Sequence, residues 1–266
     1  MSITKVILLA INRLLMRAIW TGAIGFGLVN IPIKIYSATE SAALDLDMLD
    51  RNDLSNIKFK RVNEQTGKEV KWDNIVKGYF MKDHYVVLED ADFEDASPEK
   101  TKLINLHAFV KLMDVDSIYF ETPYYLEPQK GGEKAYQLLL KALEKTKMAG
   151  LGSFVMRNVE HLTLIKPYQN ALVLNKIRYQ QEIRALDELK LPTAIKIQKA
   201  EMDMATQLIE QHSTSFDISS YKNEYMNELL KIIKQKDKGK RPTIRKMKVE
   251  HTKADDLLAK LKASLG

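Results

Sequence analysis

Residues 20–36, WTGAIGFGLVNIPIKIY, decide the fold class. Trp20, Ile24, Phe26 and Leu28 alternate with Thr21, Ala23, Gly25 and Gly27, a period of two that reads as a strand with one large-residue face and one nearly bare face. Bare glycine positions in a strand let another backbone approach closely. The alternation resumes after Asn30: Ile31, Ile33 and Ile35 form one stripe, with Pro32, Lys34 and Tyr36 on the other face. The interruption at Asn30 and Pro32 is read as a bulge or register change.

Working outward, strand-like pieces recur at short spacing over 57–62, 69–72, 78–80, 85–88, 108–112, 117–120 and 124–126. Asn63 to Gly67 forms a hairpin turn between the first two. A second hairpin joins 162–166 to 172–177 through Pro167-Tyr168-Gln169-Asn170. Many short strands with closely spaced turns predict a barrel or sandwich. One helix interrupts them over 133–147, where Ala135, Leu138, Leu139, Ala142 and Leu143 follow helical spacing. Two more close the folded part, marked by Met202, Ala205, Leu208, Ile209 and His212, and by Tyr221, Tyr225, Leu229, Ile232 and Ile233. His212, on the apolar stripe, is read as a core histidine. A Lys/Gly/Pro linker follows, and then a short helix with Leu257, Leu258, Leu261 and Leu265 on one stripe. The expected organisation is therefore a leader (1–15), a strand-rich core (16–200), a helical segment (201–236), and a basic linker with a final helix (237–266). The leader does not join smoothly to the strand that follows, so either translation is expected to begin at Met16 or the leader is a short, loosely attached helix.

The 266 residues are 45% apolar and 29% charged, a globular composition. With no cysteine there are no disulfides, thiolate metal sites or cysteine nucleophiles. The apolar run at 6–11 is too short to span a bilayer or to serve as a signal-peptide core, so a soluble cytoplasmic protein is expected. The net charge of +6 is uneven. Residues 231–253 hold ten basic residues against Asp237 and Glu250, a local +8 that leaves the rest near balance at −2. A balanced body with a basic tail suggests a polyanion partner.

The case for an enzyme is poor. His84, His107, His161, His212 and His251 show no metal-helix spacing. The acidic runs Asp45, Asp47, Asp50, Asp53 and Glu89, Asp90, Asp92, Glu94, Asp95 lack the glycine and final glutamate of a calcium loop, and read as solvated surface. Residues 22–27 are ordered GxxGxG within a strand, not the dinucleotide fingerprint, and no GxxxxGK[ST] loop occurs. No catalytic residue, metal or cofactor is assigned. A nuclease built on the acidic clusters stays open as an alternative.

Basic residues within and beside the strands carry more information. Lys58 and Lys60 share one face next to Arg61, opposite Ile57 and Phe59, and Lys34 faces away from the isoleucine stripe. Lys111, Arg157, Lys166, Lys176 and Arg178 also lie in or beside strands. On the outside of a barrel they form a candidate phosphate track, which reads no base sequence. Lys240, Arg241, Arg245 and Lys246 in the tail extend the candidate set.

The residues MRAIWTG from Met16, with GAIGFGLVNIPIKIY, resemble the opening of bacterial Ku proteins. The likeness continues through 57–80 (IKFKRVNEQTGKEVKWDNIVKGYF), 124–144 (YYLEPQKGGEKAYQLLLKALE), 172–184 (LVLNKIRYQQEIR) and 216–225 (FDISSYKNEY). The resemblance implies an α+β fold: an antiparallel β-barrel core with a helical insert and a C-terminal helical arm, paired into a homodimeric ring. It implies a ring threaded on double-stranded DNA ends, acting in non-homologous end joining and recruiting an ATP-dependent DNA ligase. Tyr221, Tyr225, Leu229 and Ile232 then become the expected dimer contact, and Leu257, Leu258 and Leu261 the expected docking face for a partner. The chain departs from the family in its leader, in lacking the cysteine pair that some members carry in the 62–67 hairpin, and in its short tail. A general duplex-coating protein with no preference for ends is the main alternative.

Overall fold

The computed structural model describes residues 16–96, 102–157, 159–192, 195–240 and 257–265. The expected leader, and Arg241, Arg245 and Lys246, lie outside the described residues. The chain divides into two compact units, one of residues up to 42 together with 47–185, the other of 43–46 and 186–266.

In the first unit the opening stretch forms a hairpin, β1 (Trp20–Phe26) and β2 (Val29–Ser37), paired antiparallel from Trp20↔Ile35 to Phe26↔Val29. Its register runs without a bulge through Asn30 and Pro32. The alternation is broken instead by a two-residue turn at Gly27-Leu28, with Gly27 at φ 57°. Positive φ at the first central residue is what a tight hairpin turn asks of glycine. Ile24, Ile31, Ile33 and Ile35 have no solvent exposure, so the predicted isoleucine stripe faces the core.

A separate two-stranded hairpin follows, β3 (Lys77–Met81) with β4 (His84–Leu88), and then α1 (Asp90–Ala96). The remaining elements are β5 (Leu103–Lys111), β6 (Phe120–Pro128), α2 (Glu133–Thr146), β7 (Met148–Met156), β8 (Val159–Tyr168) and β9 (Ala171–Ile177). They close a barrel in the order β1-β2-β6-β9-β8-β7-β5. All its pairings are antiparallel except the closing one, where β1 runs parallel to β5 (Ala23↔Leu103, Ile24↔Ile104, Gly25↔Asn105).

Closure requires backbones to approach at two places. A Cβ on Gly22 would lie 2.1 Å from the Lys102 carbonyl oxygen, and one on Gly152 would lie 2.2 Å from that of Asn105. Only glycine fits either position. The same requirement hides β7 from a pattern reading, because its inward positions Gly150 and Gly152 are small where alternation asks for large residues. Three other expectations also give way. Residues 69–72 form no strand, Glu69 making only an isolated bridge and Trp72 opening a 3-10 turn. Residues 57–62 form no strand, since only the isolated bridges Leu49↔Asn56 and Val62↔Glu69 flank them; Ile57 and Phe59 are exposed. Residues 117–119 form a 3-10 turn, with the Asp116 carboxylate accepting from the Ile118 N–H at 3.0 Å, and β6 begins only at Phe120.

Helix α2 packs against the barrel through Tyr136, Leu139, Leu140 and Leu143, all buried. The Tyr136 hydroxyl donates to the Leu126 carbonyl at 2.7 Å and accepts from the Leu172 N–H at 2.7 Å. Leu126 and Leu172 are register partners on β6 and β9, so one phenol joins the helix to the end of that ladder. Burial raises its pKa above the ordinary tyrosine value, and the bond from Leu172 pulls in the opposite direction.

The second unit contains α3 (Lys199–Gln211), α4 (Glu224–Asp237) and α5 (Leu257–Leu265), with α3 and α5 in contact. Helix α3 opens with a capping box in which Glu201 accepts from the Gln198 N–H. His212 caps its C-terminus and is exposed, not part of a core. The Asn223 side chain caps the start of α4, so Tyr221 precedes that helix. At its other end the Gly239 and Lys240 N–H groups bond back to Lys236 and Gln235, with Gly239 at φ 72°, a Schellman stop.

Replacing Tyr136 with phenylalanine leaves the Leu126 carbonyl and Leu172 N–H unpaired in the core. Urea unfolding should show a loss of about 1–3 kcal/mol with an unchanged m-value.

Candidate nucleic-acid interface

With the isoleucine stripe of β2 inward, its other face points out, and the barrel register extends that face across four strands. One row reads Thr21, Lys34 and Glu127; the next reads Tyr36, Tyr125, Val173 and Lys166. Lys34 and Lys166 therefore sit on one outward surface, three strands apart, or about 14 Å at ~4.8 Å per strand. Tyr168 lies beyond Lys166 on the same strand, and Tyr125, Tyr168, Lys166 and Asn175 line a shallow pocket. The carboxylate in this face is already engaged: Tyr36 donates its hydroxyl to Glu127 at 2.5 Å, and that bond, with burial and the nearby charge, raises the tyrosine pKa. The Lys166 ammonium lies 5.2 Å from the centre of the Phe120 ring. Cations interleaved with aromatic rings suit phosphates and the apolar parts of a nucleic acid.

The other candidates lie elsewhere. Lys111 ends β5 opposite Met148, whereas Arg157 follows Met156 in the turn after β7, so the two flank opposite ends of that strand. Arg157 has φ 56°, in the left-handed region. Lys58, Lys60 and Arg61 are exposed on the irregular segment after β2; Lys60 pairs with Glu69 at 2.6 Å, and the Arg61 guanidinium stacks over Trp72 at 4.4 Å. Arg178 is committed to the barrel, donating to the Ile118 and Phe120 carbonyls at 3.1 and 2.9 Å. It also shares Glu121 with Lys176, at 3.4 and 3.2 Å. Lys240 is exposed just after α4.

In the second unit Tyr221 and Tyr225 are 75% and 73% exposed, while Leu229 and Ile232 are half-buried. Leu257, Leu258 and Leu261 fall within α5, with Leu261 half-buried. The carboxylates of Asp50 and Asp53 order their own turn by accepting from the Asn52 and Ser55 N–H groups. Among the described residues no cluster of three or more His, Asp or Glu has the geometry of a metal cage.

The sequence reading names Lys34 and Tyr36 on one face and Lys166 separately, and only the sheet register groups them with Tyr125. Tyr125 alternates with Tyr124 and Leu126 in the expected 124–126 strand, but its row-mates Tyr36, Val173 and Lys166 lie far away in sequence. Glu121 was also missed. It holds Lys176 and Arg178 near His161, whose pKa is lowered, first by burial and then by the Lys176 charge.

The comparisons with known proteins agree with this architecture. A family model described as the Ku70/Ku80 β-barrel domain matches residues 25–204. A Pseudomonas aeruginosa protein named "Non-homologous end joining protein Ku" is 39% identical, over 83% of this chain and 76% of its own length. Proteins of the same name from Coxiella burnetii and Archaeoglobus fulgidus are 36% and 38% identical; each match covers 94% of this chain, with 94% and 98% of those proteins. A likeness to the SPOC domain of human PHD-finger protein 3, at 12% identity and a TM-score of 0.30 over 60% of this chain and 95% of that one, is too slight to carry an argument. The fold defines a closed-barrel protein of the Ku type, and the chain belongs to the Ku family.

His161 supplies a test of its surroundings. Its native pKa lies below that of an unfolded histidine, ~6.5, so the unfolded chain takes up the proton first. Stability should be full above that value and decline as pH falls toward the native pKa. Denaturation series from pH 8 to 5 should show this slope in the wild type and a flatter one in His161→Gln.

Proposed function

We propose that two copies of the chain pair into a ring that holds the end of a DNA duplex without regard to sequence, and that the protein works by binding rather than catalysis. Membership of a family whose members are named for non-homologous end joining carries this reading. Double-strand-break repair in the cytoplasm is the corresponding setting, and among the described residues no helix is long and apolar enough to cross a membrane.

Two physical features support it. The arm leaves Phe216, Ile218, Tyr221 and Tyr225 exposed, a run of large apolar side chains that a second copy would cover across a two-fold axis. The rows on the outward face of β2, β6, β9 and β8 present Lys34 and Lys166 against Glu127 alone, so a phosphate backbone meets net positive charge there although the body is balanced. Lys58, Lys60, Arg61, Lys111, Arg157 and the tail cations Lys240, Arg241, Arg245 and Lys246 extend the attraction. Arg178 contributes charge from a fixed position. Contacts of this kind position DNA without reading bases. Selectivity for ends then comes from topology, since only a free terminus enters a closed ring.

The protein should retain linear duplex and pass covalently closed circles of equal length at the same salt; equal retention of both would overturn the ring. For Lys34→Gln with Lys166→Gln, the slope of log affinity against log salt should shrink by about 1.8, two phosphate contacts at ~0.9 each. Circular dichroism and sizing should be unchanged.

The basic linker and α5 fit recruitment of an ATP-dependent DNA ligase through Leu257, Leu258 and Leu261. A nine-residue helix is marginal alone and gains from a partner groove. Deleting 253–266 should leave DNA binding intact and reduce stimulation of the ligase several-fold in an end-joining assay; full stimulation would refute the assignment.

A further inference from the structure

Helix α2 buries one face on the barrel and leaves a second apolar surface open. Beside it lies a groove of about 530 Å³, lined by Phe26, Val29, Phe109, Leu138, Leu143 and Met148 and carrying almost no polar surface. The size falls within the ~300–1,000 Å³ of ligand pockets. Leu138 is 71% exposed at its edge, although Leu139, Leu140 and Leu143 of the same helix are buried.

The rim is basic. Lys134 stands four residues before Leu138, Lys141 three after it and Lys145 four further on, so the three lie along one line on the helix beside the groove. All three are exposed, and among the described residues none is paired with a carboxylate. Glu133 and Glu144 fall about a quarter-turn or more away from this line.

We infer that this groove is a docking site for an acidic amphipathic helix of another protein, its apolar side chains on the floor and its carboxylates on the lysine rim. Charge decides among the possible occupants. Residues 1–15 contain Lys5 and Arg13 with no acid, and α5 contains Lys260 and Lys262 with none, so the rim repels both. Helix α3 of a second copy is acidic, but of its large apolar residues only Met202 and Ile209 are exposed, short of the i, i+4, i+7 anchors that a helix-binding groove engages. Nucleic acid would satisfy the lysines and leave the apolar floor unmatched, whereas protein–DNA interfaces are markedly polar. The inference does not rest on the DNA reading.

The test uses the full-length protein and fluorescein-labelled synthetic helical peptides of one length. One carries Leu at i, i+4, i+7 and i+11 flanked by Glu, a second has Lys in place of Glu, and a third has Ser in place of Leu. Anisotropy should show saturable binding of the acidic peptide, weakened by salt, and at least tenfold weaker binding of the other two. Leu138→Glu, at an exposed site and checked by circular dichroism, should weaken acidic-peptide binding at least tenfold. Lys134→Glu with Lys141→Glu and Lys145→Glu should reverse the preference to the basic peptide while leaving retention of linear DNA unchanged. Absent or Leu138-independent binding of the acidic peptide overturns the proposal. So does a shift from dimer to monomer in Leu138→Glu, which would assign the groove to a second copy. Loss of DNA binding in the triple variant without peptide binding would assign the rim to DNA.

Discussion

The parallel seam between β1 and β5 is the constraint on which the rest of the barrel depends. Without it the sheet would keep two open edges, and the alternation of each strand would not divide into one interior and one exterior. Closure there needs backbone against backbone, and Gly22 supplies the space, while Gly152 allows the same approach of β7 to the other side of β5. Once the sheet is closed, Ile24, Ile31, Ile33 and Ile35 fill the inside together with Leu126, Leu172 and Leu174. Every intervening position is then turned outward. Lys34 and Lys166 owe their shared surface to this arithmetic of parity and register.

Helix α2 serves the barrel and a second surface at once. Tyr136 anchors it to the β6/β9 ladder, and Leu139, Leu140 and Leu143 bury its inner face. The same 3.6-residue period that fixes this face dictates that Leu138 emerges at the margin and that Lys134, Lys141 and Lys145 line up outside it. The barrel therefore has two chemically different surfaces, one of cations among aromatic rings, which we propose meets DNA, and one with an apolar floor.

The parts of the fold legible in the sequence are those where one residue pattern has one physical cause. The isoleucine stripe of β2, the β8/β9 hairpin and the amphipathic stripe of α2 all came from local burial. The strand at 148–156 was illegible because its inner positions are small for a tertiary reason, the approach of β5. Residues 57–62 show the opposite failure: alternation is present, but no neighbouring strand runs alongside to use it. The break in alternation falls at Gly27-Leu28 and not at Asn30, because the two-residue turn needs positive φ at its first position, whereas Pro32 fits the strand without disturbing its register. Basic residues were legible as a set, while their grouping was not. Lys34 and Lys166 meet only through a register spanning four strands, and Arg178 is withdrawn from solvent by carbonyls and a carboxylate that no local pattern reveals.

In the proposed function the outward β2–β6–β9–β8 surface faces the duplex. The chain has no cysteine, so single cysteines can be introduced one at a time. Lys34→Cys, Lys166→Cys and, on the exposed side of α2, Gln137→Cys would each be coupled to a short photoactivatable cross-linker and mixed with blunt linear duplex. The account predicts protein–DNA adducts from positions 34 and 166 and none above background from 137. Adducts from 137 alone, or equal yields from all three, would contradict it.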